Sequence, residues 1–211
     1  MGRDTVLGED GVARCWWGAS TELYARYHDE EWGRPTRDDR WIFEKICLEG
    51  FQAGLSWLTI LNKRENFRAA FADFEVQRVA RFNKRSVERL LGDAGIVRHR
   101  GKIESTINNA KRAREVQDEF GSLAAFVWQY EPAASTRPKH VTRAGMSAMS
   151  KSAESIALSK ELKRRGWSFV GPTTMYAFMQ AAGVVNDHVR GCASTDVCRR
   201  ARSTFKKPRR S

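Results

Sequence analysis

Apolar residues recur every three to four positions along most of this chain, the spacing of helices that bury one face. The pattern predicts helices over residues 21–27, 40–51, 56–72, 87–91, 102–120, 123–130, 153–164 and 173–182. Boundary residues accompany it. Thr21 and Glu22 open the first helix, Asp38 and Asp39 can cap the second, and Ser86 can cap the segment ending at Leu91. Gly166 and Gly183 act as stop signals after the last two helices. Residues 131–149 carry Pro132, Pro138 and several small polar residues, which predicts an irregular excursion. Residues 1–13 are small and polar without periodicity and are expected to form a disordered leader. Neither a β-hairpin nor a β-α-β alternation is evident, and there is no internal repeat. The expected class is all-α.

The longest apolar stretch, residues 41–61, contains one conspicuous acid. On a helix Ile42, Ile46, Glu49 and Ala53 share a face, so Glu49 falls on the core-facing stripe. An ionised group there is costly unless something pairs with it. Trp16, Trp17, Tyr24, Tyr27, Trp32, Trp41 and Trp57 cluster nearby in sequence, and five of the seven tryptophans precede residue 58. A buried acid beside flat aromatic faces suits a planar, amine-bearing or cationic ligand. The same pattern also allows a core glutamate satisfied by an arginine or by backbone amides, and periodicity alone leaves both readings open.

The charge narrows the class of partner. The 211 residues hold 37 Lys and Arg against 25 Asp and Glu, a net charge of +12. Residues 199–211 contribute +7 of this without one acid, leaving a modestly basic body and a basic tail expected to be flexible. Such a balance favours a polyanion, nucleic acid before an anionic membrane surface. As a flexible arm the tail would add sequence-independent phosphate contacts; a merely solubilising tail is the alternative. No apolar run approaches the length of a membrane span, and the first ten residues lack a signal-peptide core. Four cysteines in a leaderless chain argue for reduced thiols and a cytoplasmic protein.

Two further constellations carry chemistry. Between the segments 86–91 and 102–120 lies Gly92-Asp-Ala-Gly-Ile-Val-Arg-His-Arg-Gly101, a glycine-bounded turn joining two helices. Free amides at the start of the second helix would receive a phosphate, with Arg98, His99, Arg100 and Lys102 adding positive charge. This has the shape of a helix-hairpin-helix (residues 86–115), which grips a DNA backbone without reading sequence. The second constellation joins the ends of the chain. Cys15 and His28 flank the aromatic cluster, while His188 and Cys192 stand four residues apart and would share one helical face. Two thiolates and two imidazoles make the tetrahedral donor set zinc prefers, and with every position filled by protein the metal would be structural. Cys198 is a competitor for Cys192.

The blocks Cys-Trp-Trp-Gly (15–18), Tyr-His-Asp-Glu-Glu-Trp-Gly (27–33), Leu-Glu-Gly-Phe-Gln-Ala-Gly-Leu-Ser-Trp (48–57) and Lys-Arg-Glu-Asn-Phe (63–67) occur in that order. Asp-Ala-Gly-Ile-Val-Arg-His-Arg-Gly-Lys-Ile (93–103), Phe-Val-Gly-Pro-Thr (169–173) and Asn-Asp-His-Val-Arg-Gly-Cys (186–192) follow. Together they resemble the bacterial DNA-3-methyladenine glycosylase I family, a monofunctional branch of the helix-hairpin-helix glycosylases. The resemblance runs from about Arg14 to Cys192, within a glycosylase domain expected over residues 14–198. Phe51 stands where some members carry a polar residue, and the stretch after Cys192 differs from the cysteine-rich ending of others.

The resemblance implies zinc ligands at Cys15, His28, His188 and Cys192, one ion per chain, and a base-recognising carboxylate at Glu49. It implies pocket aromatics at Trp17, Tyr24, Tyr27, Trp32 and Trp57. Gln52, Gly54 and Leu55 match the segment that approaches the DNA stack where the damaged nucleotide leaves. With Arg98, Arg100, Gly101 and Lys102 of the hairpin they form the expected DNA-binding set. The implied activity is excision of N3-methyladenine from alkylated duplex DNA by a monomer, leaving an abasic site; the lysine-bearing hairpin of strand-cleaving relatives is absent. A non-catalytic helix-hairpin-helix DNA-binding module is the alternative, and a zinc-stabilised RNA-binding protein explains the pocket poorly.

Overall fold

The computed structural model describes residues 4–210. Two short strands, β1 (Thr5–Leu7) and β2 (Ala13–Cys15), pair antiparallel, and twelve α-helices follow. The helices are α1 (Glu22–Glu30), α2 (Asp39–Gln52), α3 (Trp57–Asn62), α4 (Arg64–Ala70), α5 (Val76–Val79) and α6 (Lys84–Gly92). Then come α7 (Arg100–Phe120), α8 (Leu123–Val127), α9 (Arg143–Ala148), α10 (Ala153–Arg164), α11 (Pro172–Ala181) and α12 (Ser194–Thr204). The all-α expectation holds, with minimal strand content.

The central element is α2. Every side chain from Ile42 to Phe51 is buried, because α7, α8 and α11 all pack against this one helix. Asp38 caps its start by accepting from the amides of Arg40 and Trp41. Asp39 instead reaches across to accept from the amides of Leu123 and Ala124, capping α8 from outside. One aspartate thus starts α2, and its neighbour locks another helix onto that start.

Several sequence expectations are corrected. The leader is ordered from Asp4 onward: its turn closes through Gly8 and Gly11, and Arg14 binds both Asp10 and Asp29. The single helix expected over 56–72 breaks at Lys63 (φ −100°, ψ 3°), where the chain turns so that Arg64 can reach Glu31 and Glu44. Ser86 does not cap α6; Asn83 does, and Ser86 closes the reciprocal half of that capping box. His188 and Cys192 do not lie on a helix, because Gly191 takes a left-handed conformation (φ 86°) and turns the chain there. The excursion at 131–149 contains α9. The tail is not a free arm. α12 runs into it, Phe205 packs on Trp128 with ring centroids 4.6 Å apart, and Arg202 and Lys207 pair with Glu131. Arg37 donates to the Lys206 carbonyl, and Arg210 lies over Phe120. Phe205 is the apolar anchor that a count of charges overlooks.

Candidate base pocket, zinc cluster and DNA face

A cavity of about 220 Å³ opens where α1, α2, α3 and α11 meet. Trp17, Tyr24, Tyr27, Trp32 and Trp57 line it, together with Glu49, Gln52, Met146, Ala177 and Gln180. All five expected aromatics therefore converge with the expected acid. Trp17 is the hub: its ring meets Tyr24 at 5.6 Å, Tyr27 at 6.2 Å and Trp32 at 5.0 Å between centroids. Tyr27 in turn meets Trp57 at 5.6 Å. Interplanar angles of 45–82° build a box of faces and edges, not a stack that fills itself. The volume is below the roughly 300–1,000 Å³ of sites for larger ligands, which suits a single flat base.

Glu49 is 6% exposed and accepts no hydrogen bond from a protein group among the described residues. Burial pushes its carboxyl up to about 7, against the opposing charge of Lys45. The arginine-satisfied core acid considered from the sequence is not what forms: Arg64 donates through Nε to Glu44 and through Nη1 to Glu31, and no arginine hydrogen-bonds Glu49 among the described residues. Glu49 is thus a buried acid whose acceptors are kept for something else. Met146, Ala177, Gln180 and Lys45 were not singled out from the sequence. Met146 comes from the irregular excursion, where no periodicity announces a pocket residue. Ala177 and Gln180 lie three apart on α11, and that spacing was a usable signal.

A larger cleft of about 510 Å³ lies elsewhere, lined by Glu131, Arg137, Arg190 and Arg202 among others. Its cations are largely spoken for: Arg137 pairs with Asp187 and Arg202 with Glu131. It also lacks an aromatic box, so of the two only the smaller cavity presents flat rings beside a buried acid.

Beside the aromatic box, ligand atoms of Cys15, His28 and Cys192 lie within 4.8 Å of one another, all buried. Cys192 Sγ and His28 Nε2 are 3.5 Å apart, close to the roughly 3.6 Å edge of a tetrahedron built on Zn–S and Zn–N bonds. His188 falls outside that compact trio yet stands next to it, its ring 4.9 Å from that of His28. Its Nε2 is buried without any partner, and burial pulls its ionisation down to about 4, so the ring is neutral with a lone pair to give. Both imidazoles are held through Nδ1, His28 by Asp29 at 2.7 Å and His188 by Asn186 at 2.9 Å, which leaves His28 Nε2 for the Cys192 thiol and His188 Nε2 without a partner among the described residues. Cys198 is outside the group; its thiol points to the Trp32 carbonyl at 3.8 Å. The cluster joins the N- and C-terminal regions and is consistent with a structural zinc site.

The third feature is a face built from two turns. After α2, the turn at Gln52–Leu55 closes through Leu55 N donating to Gln52 O, with Gly54 left-handed (φ 81°) and Leu55 42% exposed at its tip. The α6–α7 turn forms as expected. His99 caps α7 by accepting from the Lys102 amide, while the Arg100 and Gly101 amides have no protein acceptor among the described residues. Lys63 holds the turn from behind by donating to the carbonyls of Ala94 and Gly95. Arg98 is exposed, and Arg100 is exposed but paired with Glu88 at 2.9 Å. Lys102 departs from expectation: its ammonium points inward, donating to the carbonyls of Phe51 and Ala53 at 2.9 and 2.5 Å. It joins the two turns and does not project towards a phosphate, because α7 packs its N-terminal turn directly against the end of α2.

Comparison with known proteins agrees with this geometry. The methyladenine glycosylase family model matches residues 16–195. The chain belongs to that family. DNA-3-methyladenine glycosylase 1 of Escherichia coli K12 is 48% identical over 182 residues, covering 86% of this chain and 96% of that protein. DNA-3-methyladenine glycosylase of Haemophilus influenzae is 41% identical over 184 residues, covering 86% and 97%. A crystal structure of a 3-methyladenine DNA glycosylase I variant in complex with 3-methyladenine superposes with a TM-score of 0.79. It is 34% identical, with 86% of this chain and 97% of that one covered. This methyladenine glycosylase is a DNA repair enzyme acting on alkylated bases, with DNA as its partner. No helix among the described residues is long and apolar enough to cross a membrane.

Proposed function

We propose that this glycosylase extrudes N3-methyladenine from alkylated duplex DNA into the aromatic box and hydrolyses its N-glycosidic bond, leaving an abasic site. The observation that carries the reading is Glu49, a buried acid without a protein donor on the wall of a ring-lined cavity. Methylation at N3 makes adenine cationic and weakens its bond to the sugar, so the departing base needs little protonation. What the enzyme must then supply is extrusion and recognition of the base. A cationic base brings its own positive charge to Glu49 and favours the ionised carboxylate. That carboxylate can accept from the exocyclic amine of adenine, whereas the O6 acceptor of guanine would be repelled. Trp57 and Tyr27 can stack on the ring, contributing about 1–3 kcal/mol per base. As the bond breaks, the negative charge of Glu49 also opposes the positive charge that develops on the sugar.

In this reading Gln52, Gly54 and Leu55 approach the gap the extruded nucleotide leaves. Arg98 and the free amides of Arg100 and Gly101 hold the backbone. In the same reading the chain works on nucleoid DNA in the cytoplasm, and as a monomer, the ring-lined cavity being complete within one copy. Strand cleavage is not expected, because neither Lys45 nor Lys102 presents a free amine to the cavity; one is wholly buried and the other caps carbonyls. The purified protein incubated with methylated duplex DNA should release 3-methyladenine, identified by chromatography, without nicking the strand. Intact methylated DNA bound without release would favour the binding-module alternative.

A further inference from the structure

Lys45 is a lysine with no exposed surface, set one helical turn before Glu49 on α2. Its ammonium lies 4.5 Å from the centroids of Tyr27 and Trp57 and 5.1 Å from that of Trp41. It donates to the Tyr27 hydroxyl and pairs with Glu31, each at 3.1 Å. Tyr27 and Trp57 are also walls of the base cavity. A cation is therefore enclosed directly behind the rings that would hold a cationic base.

Lys45 does not form an ion pair with Glu49; its direct partner is Glu31. Glu31 is in turn held by Arg64, and Arg64 and Arg68 both hold Glu44. The charged and titratable groups facing this region are Tyr24, Tyr27 and Glu31 from α1 and its C-terminus, Glu44 and Glu49 on α2 itself, and Arg64 and Arg68 from α4. Lys102 of α7 lies at the far end of α2 on carbonyl groups, and the pocket group from α11 is the neutral Gln180. Within this set Arg64 pairs with Glu31 and Glu44. That leaves Lys45 as the cation closest in sequence and in face to Glu49.

We propose that Lys45 is a positioning residue for base recognition, a fixed internal cation held between Tyr27, Trp57 and Glu31 that favours the ionised form of the Glu49 carboxylate. The proposal deepens the base-excision reading and rests on it for its biological meaning, while its electrostatic content concerns the free protein. The physical requirement is plain. Burial alone drives Glu49 towards the neutral acid, and the ammonium at Lys45 is what opposes it. Glu31 acts separately, as the ion-pair partner that favours the charged form of a wholly buried ammonium whose burial opposes it. Because a cation behind the rings also disfavours a second cation in front of them, recognition of a cationic base depends on Glu49 more strongly than ring stacking alone would require.

The test follows the carboxyl carbon of Glu49 by NMR in full-length, zinc-loaded protein carrying labelled glutamate, assigned by its loss in Glu49→Gln. Lys45→Met keeps the length without the charge, and Lys45→Gln retains a polar tip for Tyr27 should the methionine variant fold poorly. In both, the Glu49 midpoint should rise by a unit or more from about 7. A one-unit rise leaves about fivefold less carboxylate at pH 7. Single-turnover excision should lose activity along the same displaced acidic limb and recover to near the wild-type rate at high pH. An unchanged midpoint in both variants, or a loss of rate equal at every pH, would overturn the proposal and leave Lys45 as packing. A displaced midpoint in a protein whose wild type releases no methylated base would support the electrostatic role while sinking the excision reading.

Discussion

Replacing Glu49 by glutamine should stabilise the protein, and only at one end of the pH range. The Glu49 carboxyl ionises near 7 in the folded protein against an ordinary value of 4.5, because burial disfavours its charge. Between those values the unfolded chain has lost a proton that the native chain retains, so native stability falls as pH rises. At 1.36 kcal/mol per unit, the gap amounts to a cost of about 3 kcal/mol, complete above pH 7 and absent below about 4.5. Glutamine keeps the shape and removes the titration. The variant should therefore match the wild type near pH 4.5 and exceed it by up to about 3 kcal/mol at pH 8, or about 6–12 °C in Tm for a chain of this size. Chemical or thermal denaturation across pH 4.5–8.5, with zinc held in excess, measures this directly. The same variant should lose excision. A Glu49→Gln protein that is less stable at pH 8, or whose difference from wild type is constant with pH, would refute the account of Glu49 as an unpartnered buried acid.

Three further outcomes are expected. Cys15→Ser should lower both zinc content by metal analysis and Tm, since the cluster ties β2 and α1 to the turn before α12; full zinc with an unchanged Tm would count against the site. Lys102→Met should destabilise the protein by about 1–3 kcal/mol through the two uncapped carbonyls and weaken DNA binding, while leaving the slope of log affinity against log salt unaltered. A slope reduced by about one would show that Lys102 touches a phosphate after all. Removing residues 205–211 should lower Tm by taking Phe205 off Trp128, yet change the salt slope by less than about one, because Lys207 and Arg210 already face acids.

Much of the site was legible because its residues obey simple periodicities. Glu49 stands out where an acid interrupts an apolar helical face, and the aromatic set lies close in sequence. Cys15, His28 and Cys192 of the cluster were nameable by chemistry, although the reason given for pairing Cys192 with His188 was wrong: a glycine turn, not a helix, links the two positions. What stayed hidden was direction. Lys102 reads as one more cation in a basic turn, and only the packing of α7 on α2 shows its ammonium turned inward. Arg100 looks free until Glu88 from the neighbouring helix is seen beside it. Lys45 is charged in sequence and buried in fact, which no spacing rule reports. The tail's many cations concealed Phe205, and the polar leader concealed a small hairpin whose hydrogen bonds are made by backbone, not by side-chain pattern.

The central claim is that an ionisable buried acid within a ring-lined cavity selects and releases one methylated base. Single-turnover reactions of wild type and Glu49→Gln on duplex DNA carrying both 3-methyladenine and 7-methylguanine, with the released bases separated and counted, test it most directly. The wild type should release 3-methyladenine far faster than 7-methylguanine, and the variant should lose most of that rate while remaining folded and able to bind DNA. Comparable release of the two bases by the wild type, or an undiminished rate in the variant, would contradict the account.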